Sequence, residues 1–259
     1  MQPHILLTND DGITSPGLHA LAAALRDVGA VTVVAPDRNW SISGHQKSLH
    51  SFLRADPYPF PHDGIPAFAA SCAPADCVAL AFLGLLPRKP DLVVSGINRG
   101  PNLGQDITYS GTVAATFEAA IFGYPAVALS IDSHAPDAPF DEAARVAARI
   151  VRRVWEEGLP RQTLLNVNFP AIPAKEWRGI AVARLGIREY ADELVVDNDP
   201  SGRPYYWIQG VTPGGDTETP GTDIWAVHHG YISVTPIRLD MTDERLLEGV
   251  KGWGLEHQT

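Results

Sequence analysis

Over residues 1–130, short apolar runs alternate with amphipathic stretches. Residues 4–8, 31–35, 91–95 and 125–130 have the length and apolar character of buried strands. Residues 16–28, 74–86 and 111–122 read as helices, the first with Ser15 as N-cap and Pro16 at its first position. Residues 47–54 and 67–71 read as strands around a proline-rich loop at 57–66. A helix over 140–157 and a strand over 164–168 continue the series. Such alternation predicts an α/β fold, a Rossmann-like, mostly parallel sheet flanked by helices, with residues 1–175 as the catalytic core.

The pattern then changes. From about 178 to 236 apolar and polar residues alternate between turn signals such as Asp199-Pro200-Ser201-Gly202, as in antiparallel strands or hairpins. From Asp240 the tail reads as a short helix with a frayed end. Residues 176–259 are therefore expected to form a C-terminal hairpin and oligomerisation region whose strands and helix return to the core.

Charge narrows the partners. The 259 residues carry a formal net charge of −10, which repels phosphate-rich polymers and argues against broad nucleic-acid binding. A small phosphorylated substrate is compatible if a local cation screens it. No apolar run reaches spanning length without a charge or a proline. The N-terminus has neither a basic leader nor a small-residue cleavage site, so the cytoplasm is the expected compartment. Cys72 and Cys77 have no second Cys or His pair to complete a zinc set and read as core thiols.

Three loops carry candidate chemistry, each placed where open α/β sheets bind ligands, after a strand. The first is Thr8-Asn9-Asp10-Asp11-Gly12. Adjacent carboxylates repel, which raises a pKa or calls for a cation; one Asp would suffice to complement a helix dipole. The second runs from Pro36 to His45 and is rich in hydroxyls and donors. The third runs from Ser95 to Thr112, with three glycines and two asparagines before a Ser-Gly-Thr helix entrance that suits an oxyanion. A cap at Ser110 alone does not account for the long polar loop before it. The oxygens on offer suit Mg²⁺ or Mn²⁺. His45 reads equally as a phosphate donor or a structural histidine.

Leu7-Thr-Asn-Asp-Asp-Gly12, Ala35-Pro-Asp-Arg-x-x-Ser41, Ser95-Gly-Ile-Asn-x-Gly-x-Asn-x-Gly104 and Tyr109-Ser-Gly-Thr-Val-Ala-Ala115 together resemble the SurE family of nucleotidases. The likeness continues at Pro74-Ala-Asp-Cys77, at Leu165-Asn-Val-Asn-Phe-Pro170 and at Gly230-Tyr-Ile-Ser-Val-Thr-Pro236. One departure is Cys72-Ala73, where the family usually has Gly-Thr. The resemblance implies a SurE-like fold and one divalent metal ion, Mg²⁺ or Mn²⁺, per subunit, on Asp10, Asp11, Ser41 and Asn98. It implies hydrolysis of nucleoside 5′- and 3′-monophosphates and an arm-exchanged homodimer that could pair into a tetramer. Asn9, Gly44, His45, Asn102, Ser110, Gly111 and Thr112 are then the candidates to handle substrate and phosphate, and Asp10 or the metal would activate the attacking water.

Two rival readings use the same acidic pair. In one, Asp10 is a nucleophile that forms an aspartyl-phosphate, though such families place their two Asp residues one apart. In the other, the chain is a phospho-accepting signalling module with Asp56 as acceptor. Pro57 follows that residue, no Lys follows the 125–130 strand, and the chain is about twice the usual module length.

Overall fold

The computed structural model describes residues 2–135, 138–210 and 214–255. Among these residues thirteen strands and six α-helices follow one another in the order β1 (His4–Thr8), α1 (Pro16–Leu25), β2 (Ala30–Pro36), β3 (Ala55–Pro57), β4 (Ala67–Ala70), α2 (Pro74–Leu80), β5 (Leu92–Arg99), α3 (Gly111–Ile121), β6 (Ala126–Ile131), α4 (Phe140–Glu157), β7 (Thr163–Phe169), β8 (Ile180–Val182), β9 (Arg188–Glu189), β10 (Glu193–Asn198), β11 (Pro204–Gln209), β12 (Gly214–Gly215), α5 (Asp223–His228), β13 (Ile232–Arg238) and α6 (Glu244–Lys251). Nine strands form one sheet in the order β3-β4-β2-β1-β5-β6-β7-β13-β8. From β4 to β7 every pairing is parallel. β3 runs antiparallel to β4, and β13 antiparallel to β7.

Period-two alternation assigns each strand residue to a layer. Ile5, Leu7, Val33, Val94 and Leu129 pack on one face with Leu18 and Leu21 of α1 and Ala147 and Val151 of α4. Leu6, Val34, Val93 and Ala128 pack on the other with Val78 of α2 and Val113 and Phe117 of α3. The sheet is buried on both sides, so its parallel strands read as unbroken apolar runs.

Four details differ from the sequence reading. Residues 47–54 form no strand; the edge pairing is made by the short β3 instead. α1 begins at Pro16, but the Ser15 side chain makes no cap hydrogen bond. The second helix splits, α2 giving way to a wide helical turn at Ala81–Leu85 that ends around Gly84, whose φ is 135°. β8 and β13 pair in parallel, because α5 lies between them in the chain and carries it back across the sheet. The β10–β11 hairpin turns at Asp199, where Gly202 N–H donates to the Asp199 carbonyl at 2.9 Å. Among the described residues no helix is long and apolar enough to cross a membrane.

Candidate active site

β1 and β5 are neighbours whose onward connections diverge, β1 toward β2 and β5 toward β6. The crevice outside their carboxyl ends is the switch point at which such sheets bind ligands. The turn after β1 is closed by Asn9, whose amide donates to the Gly12 carbonyl (2.9 Å) and accepts the Gly12 N–H (3.2 Å). That turn delivers Asp10 and Asp11 side by side. Asp10 is buried, and its Oδ1 accepts the hydroxyl of Thr112 from the first turn of α3. Burial, opposed by the Thr112 hydrogen bond and reinforced by the Asp11 charge, pushes its carboxyl up to about 6. Burial also raises Asp11, against the Arg99 N–H, which donates to its Oδ2 at 3.0 Å.

The second loop is laid across this pair. Trp40 N–H donates to the Asp10 carbonyl at 2.7 Å, and the Asn39 amide reaches Asp11 Oδ1 at 3.4 Å. Ser41 follows, with its N–H held by Asn39 Oδ1 at 2.7 Å. Asn98 stands at the end of β5, past a register shift between Ser95 and Asn98. Its amide nitrogen donates to the Gly100 carbonyl (2.7 Å), and its Oδ1 has no donor among the described residues. A Cβ on Gly111 would lie 2.8 Å from Ser43 Oγ and 3.0 Å from Asp10 Oδ2, so glycine keeps the helix entrance open beside the carboxylate. Ser43 Oγ itself is buried with no hydrogen-bond partner in the described structure.

These oxygens suit a hard cation. Two carboxylates resist ionising together when buried, and the Thr112 hydroxyl stands on Asp10. Among the described residues no three His, Cys, Asp or Glu side chains are grouped to hold a metal. A cation here would rest on two carboxylates completed by neutral oxygens.

A family model described as survival protein SurE matches residues 5–192. The chain belongs to the SurE family. It is 54% identical over 255 residues to a protein of Chloroflexus aggregans named 5′-nucleotidase SurE, covering 98% of this chain and all of that one. It is 51% identical over 254 residues to 5′-nucleotidase SurE 1 of Thermus thermophilus, covering 96% of each. The crystal structure of the SurE protein from Aquifex aeolicus superposes with a TM-score of 0.84 at 43% identity, over 97% of this chain and all of that one.

In this SurE chain several residues offered to phosphate by the sequence are committed elsewhere. Both groups of the Asn9 amide close its own turn. Gly44 donates its N–H to the Tyr109 carbonyl at 2.9 Å. His45 sets Nε2 3.2 Å from Glu118 Oε2 and stacks on Phe117. Ser110 caps α3, its Oγ accepting the Val113 N–H at 3.1 Å. Asn102 lies in a buried amide network: its N–H donates to Asn168 Oδ1 (2.8 Å) and its side-chain amide to Ser130 Oγ (2.7 Å). Its carbonyl accepts the side-chain amides of Asn166 (2.8 Å) and Asn168 (3.0 Å). These five residues hold the loops in place, while Gly111 and Thr112 stand beside Asp10.

Sequence reasoning missed Ser43, the Asn166–Asn168 pair and Asp223. Two buried amides two apart on β7 share one face of an otherwise apolar strand, which was the available signal. Asp223 accepts the N–H groups of Gly104 (2.9 Å) and Gly186 (2.7 Å), so the third loop is anchored from the far end of the chain. Cys72 and Cys77 are free and buried, their sulfurs 3.7 Å apart, and burial pushes the Cys77 thiol up.

Asp10 allows a stability test. A carboxyl raised from 3.8 to about 6 favours folding most when protonated, and that contribution is lost as pH rises across this window. The two-unit difference is worth about 3 kcal/mol. In chelator-treated protein near neutral pH, Asp10→Asn should therefore raise the melting temperature by roughly 5–10 °C, with the gain vanishing in acid. Calorimetry at both pH values checks it; an Asn variant less stable than the parent near neutrality contradicts the assignment.

Proposed function

We propose that this protein is a metal-dependent 5′-nucleotidase that hydrolyses nucleoside 5′-monophosphates, and 3′-monophosphates as well, to nucleoside and phosphate. The observation that carries the reading is the adjacent pair Asp10 and Asp11 in the turn after β1 at the switch point, Asp10 buried and bonded by the Thr112 hydroxyl, Asp11 bonded by the Arg99 N–H. The names borne by its relatives across their full length support the same activity.

Asp10, Asp11, Ser41 and Asn98 would hold one Mg²⁺ or Mn²⁺ per subunit, which when bound would withdraw charge from the phosphate and help orient the ester. Thr112 fixes the Asp10 carboxylate by its hydroxyl, leaving Oδ2 toward the gap that Gly111 keeps open. The first turn of α3 turns its backbone N–H groups toward that gap, where the helix end carries about half a unit of positive charge. Ser43 offers a hydroxyl whose hydrogen-bonding capacity is unused among the described residues. Asp10 orients the attacking water and takes its proton. The protein works as a homodimer clasped by its β10–β11 hairpin, with a tetramer as the further step, on a small nucleotide and not on a nucleic-acid polymer.

The signalling-module reading is not favoured. Asp56 lies on β3 at the sheet edge, with β4 and β2 between it and β1. Phosphate release from a panel of nucleoside 5′- and 3′-monophosphates, with Mn²⁺ added to chelated protein, tests the proposal. Steady multiple turnover with a preference for monophosphates is expected. A single stoichiometric phosphorylation of the protein, or no release at all, would overturn it.

A further inference from the structure

The segment from Trp40 to Ser48 has neither helix nor strand, yet it carries Ser41 and Ser43 to the Asp10 crevice. Sheet bonds do not hold it. At its start Trp40 N–H donates to the Asp10 carbonyl, and in its middle Gly44 N–H donates to the Tyr109 carbonyl. At its far end two buried carboxylates take over. Glu118 of α3 accepts Lys47 Nζ at 2.6 Å on Oε1 and faces His45 Nε2 at 3.2 Å on Oε2. Asp76 in the first turn of α2 accepts the Ser48 N–H on both oxygens, at 3.1 Å each. Both carboxylates are buried, at 2% and 3% relative exposure. Burial pushes Glu118 up, but hydrogen bonds from His45 and Lys47 hold it below its ordinary value, so it is charged.

A buried carboxylate is costly to desolvate unless its partners are in place, and here the partners come from a surface loop. That loop also brings the Ser43 hydroxyl, buried and unpartnered in the described structure, to within reach of the space beside Asp10 Oδ2. We propose that Glu118 and Asp76 are positioning residues: they clamp the 40–48 segment over the crevice through Lys47, His45 and Ser48, and so fix where Ser41 and Ser43 stand. The link to catalysis rests on the phosphatase reading above; the clamp itself does not.

The Lys47–Ser48 peptide bond reports on the clamp directly. Its lysine side chain is bound to Glu118 and its N–H to Asp76, so trypsin reaches it only when the segment opens. Hydrogen bonds to charged groups are strong enough that Glu118→Gln should speed cleavage at this bond by about tenfold or more. Asp76→Asn should act in the same direction but less, because asparagine still accepts from Ser48. Both variants, and Lys47→Met, should need several-fold more Mn²⁺ for half-maximal hydrolysis of adenosine 5′-monophosphate, with saturating Mn²⁺ restoring kcat. Lys47→Met and Glu118→Gln should not add when combined, since they remove one interaction. Lys47 is partly exposed, so its variant leaves no buried hole should Glu118→Gln fold poorly. Parental cleavage rates in Glu118→Gln at an unchanged melting temperature would overturn the clamp. So would parental Mn²⁺ dependence in Lys47→Met. If the parent releases no phosphate with any metal, the phosphatase reading falls, and the trypsin rates alone still decide whether the clamp exists.

Discussion

Excess chelator should bring nucleotide hydrolysis to the uncatalysed background, and Mn²⁺ or Mg²⁺ should restore it. Asp11→Asn should lower kcat/KM by about 10²–10³-fold, the scale seen when one preorganised electrostatic partner is removed. The fold should survive, because this substitution relieves a charge that burial already disfavours. The main-chain N–H of Arg99 retains an oxygen acceptor at that position. Phosphate release with and without metal, paired with a melting curve, reads both halves. Undiminished turnover in excess EDTA would remove the cation from the reaction. Loss of activity together with unfolding would make Asp11 a structural residue.

The second large effect concerns assembly. Leu194, Val195 and Val196 on β10 face Ile208, Trp207 and Tyr206 on β11 in register. Consecutive strand residues point to opposite faces, and Val195 at 40% and Val196 at 55% are both open, as is Trp207 at 64%. The hairpin therefore packs neither face on its own chain. A two-stranded ribbon is marginal by itself in water, and contiguous exposed apolar surface marks an interface. Wild-type protein should scatter light as a dimer or a larger even assembly. Replacing residues 193–209 by a short Gly-Ser linker should give a monomer prone to aggregation, while the Arg188–Asp106 ion pair outside the excised stretch survives. A wild-type monomer, or a clean dimer after excision, would reject this role. Leu246, Leu247 and Trp253, in and just after α6, form a second uncovered face of the kind a tetramer would need.

The parallel core was legible because its signals are local. Pro16 and Pro74 open α1 and α2, and Ser110 caps α3 as its position before Gly-Thr suggests. The acidic pair after β1 was legible as well, since only a strand end and two carboxylates were needed to see it. The misreadings share a cause: polar residues serving distant partners. Lys47 and Ser48 look like the start of a strand, but their donors go to Glu118 and Asp76, 71 and 28 residues away. Asn102, whose phosphate role stands as a proposal, also has distant partners: its side-chain amide donates to Ser130 on β6 and its main-chain groups pair with β7. α5 was hidden in a region of alternating polarity; Thr222, whose Oγ accepts the Trp225 N–H, was its one local mark. The 211–213 stretch of that region lies outside the described residues.

The Asp223 anchor has a consequence for how the molecule is made. Asp10 follows β1 and Asn98 lies on β5; both strands, and the β1–β2 and β1–β5 pairings, fall within the first hundred residues. The loop after β5, however, is tied at Gly104 to a carboxylate encoded 119 positions later (223 − 104). β13, further on still, fills the place between β7 and β8. At about 5–20 residues per second, a nascent chain waits on the order of ten seconds between emerging with its acidic pair and receiving the residue that sets the facing loop. During that interval it holds a half-built crevice, and a ribosome that stalls before residue 223 leaves a polypeptide with every proposed ligand and no finished enzyme.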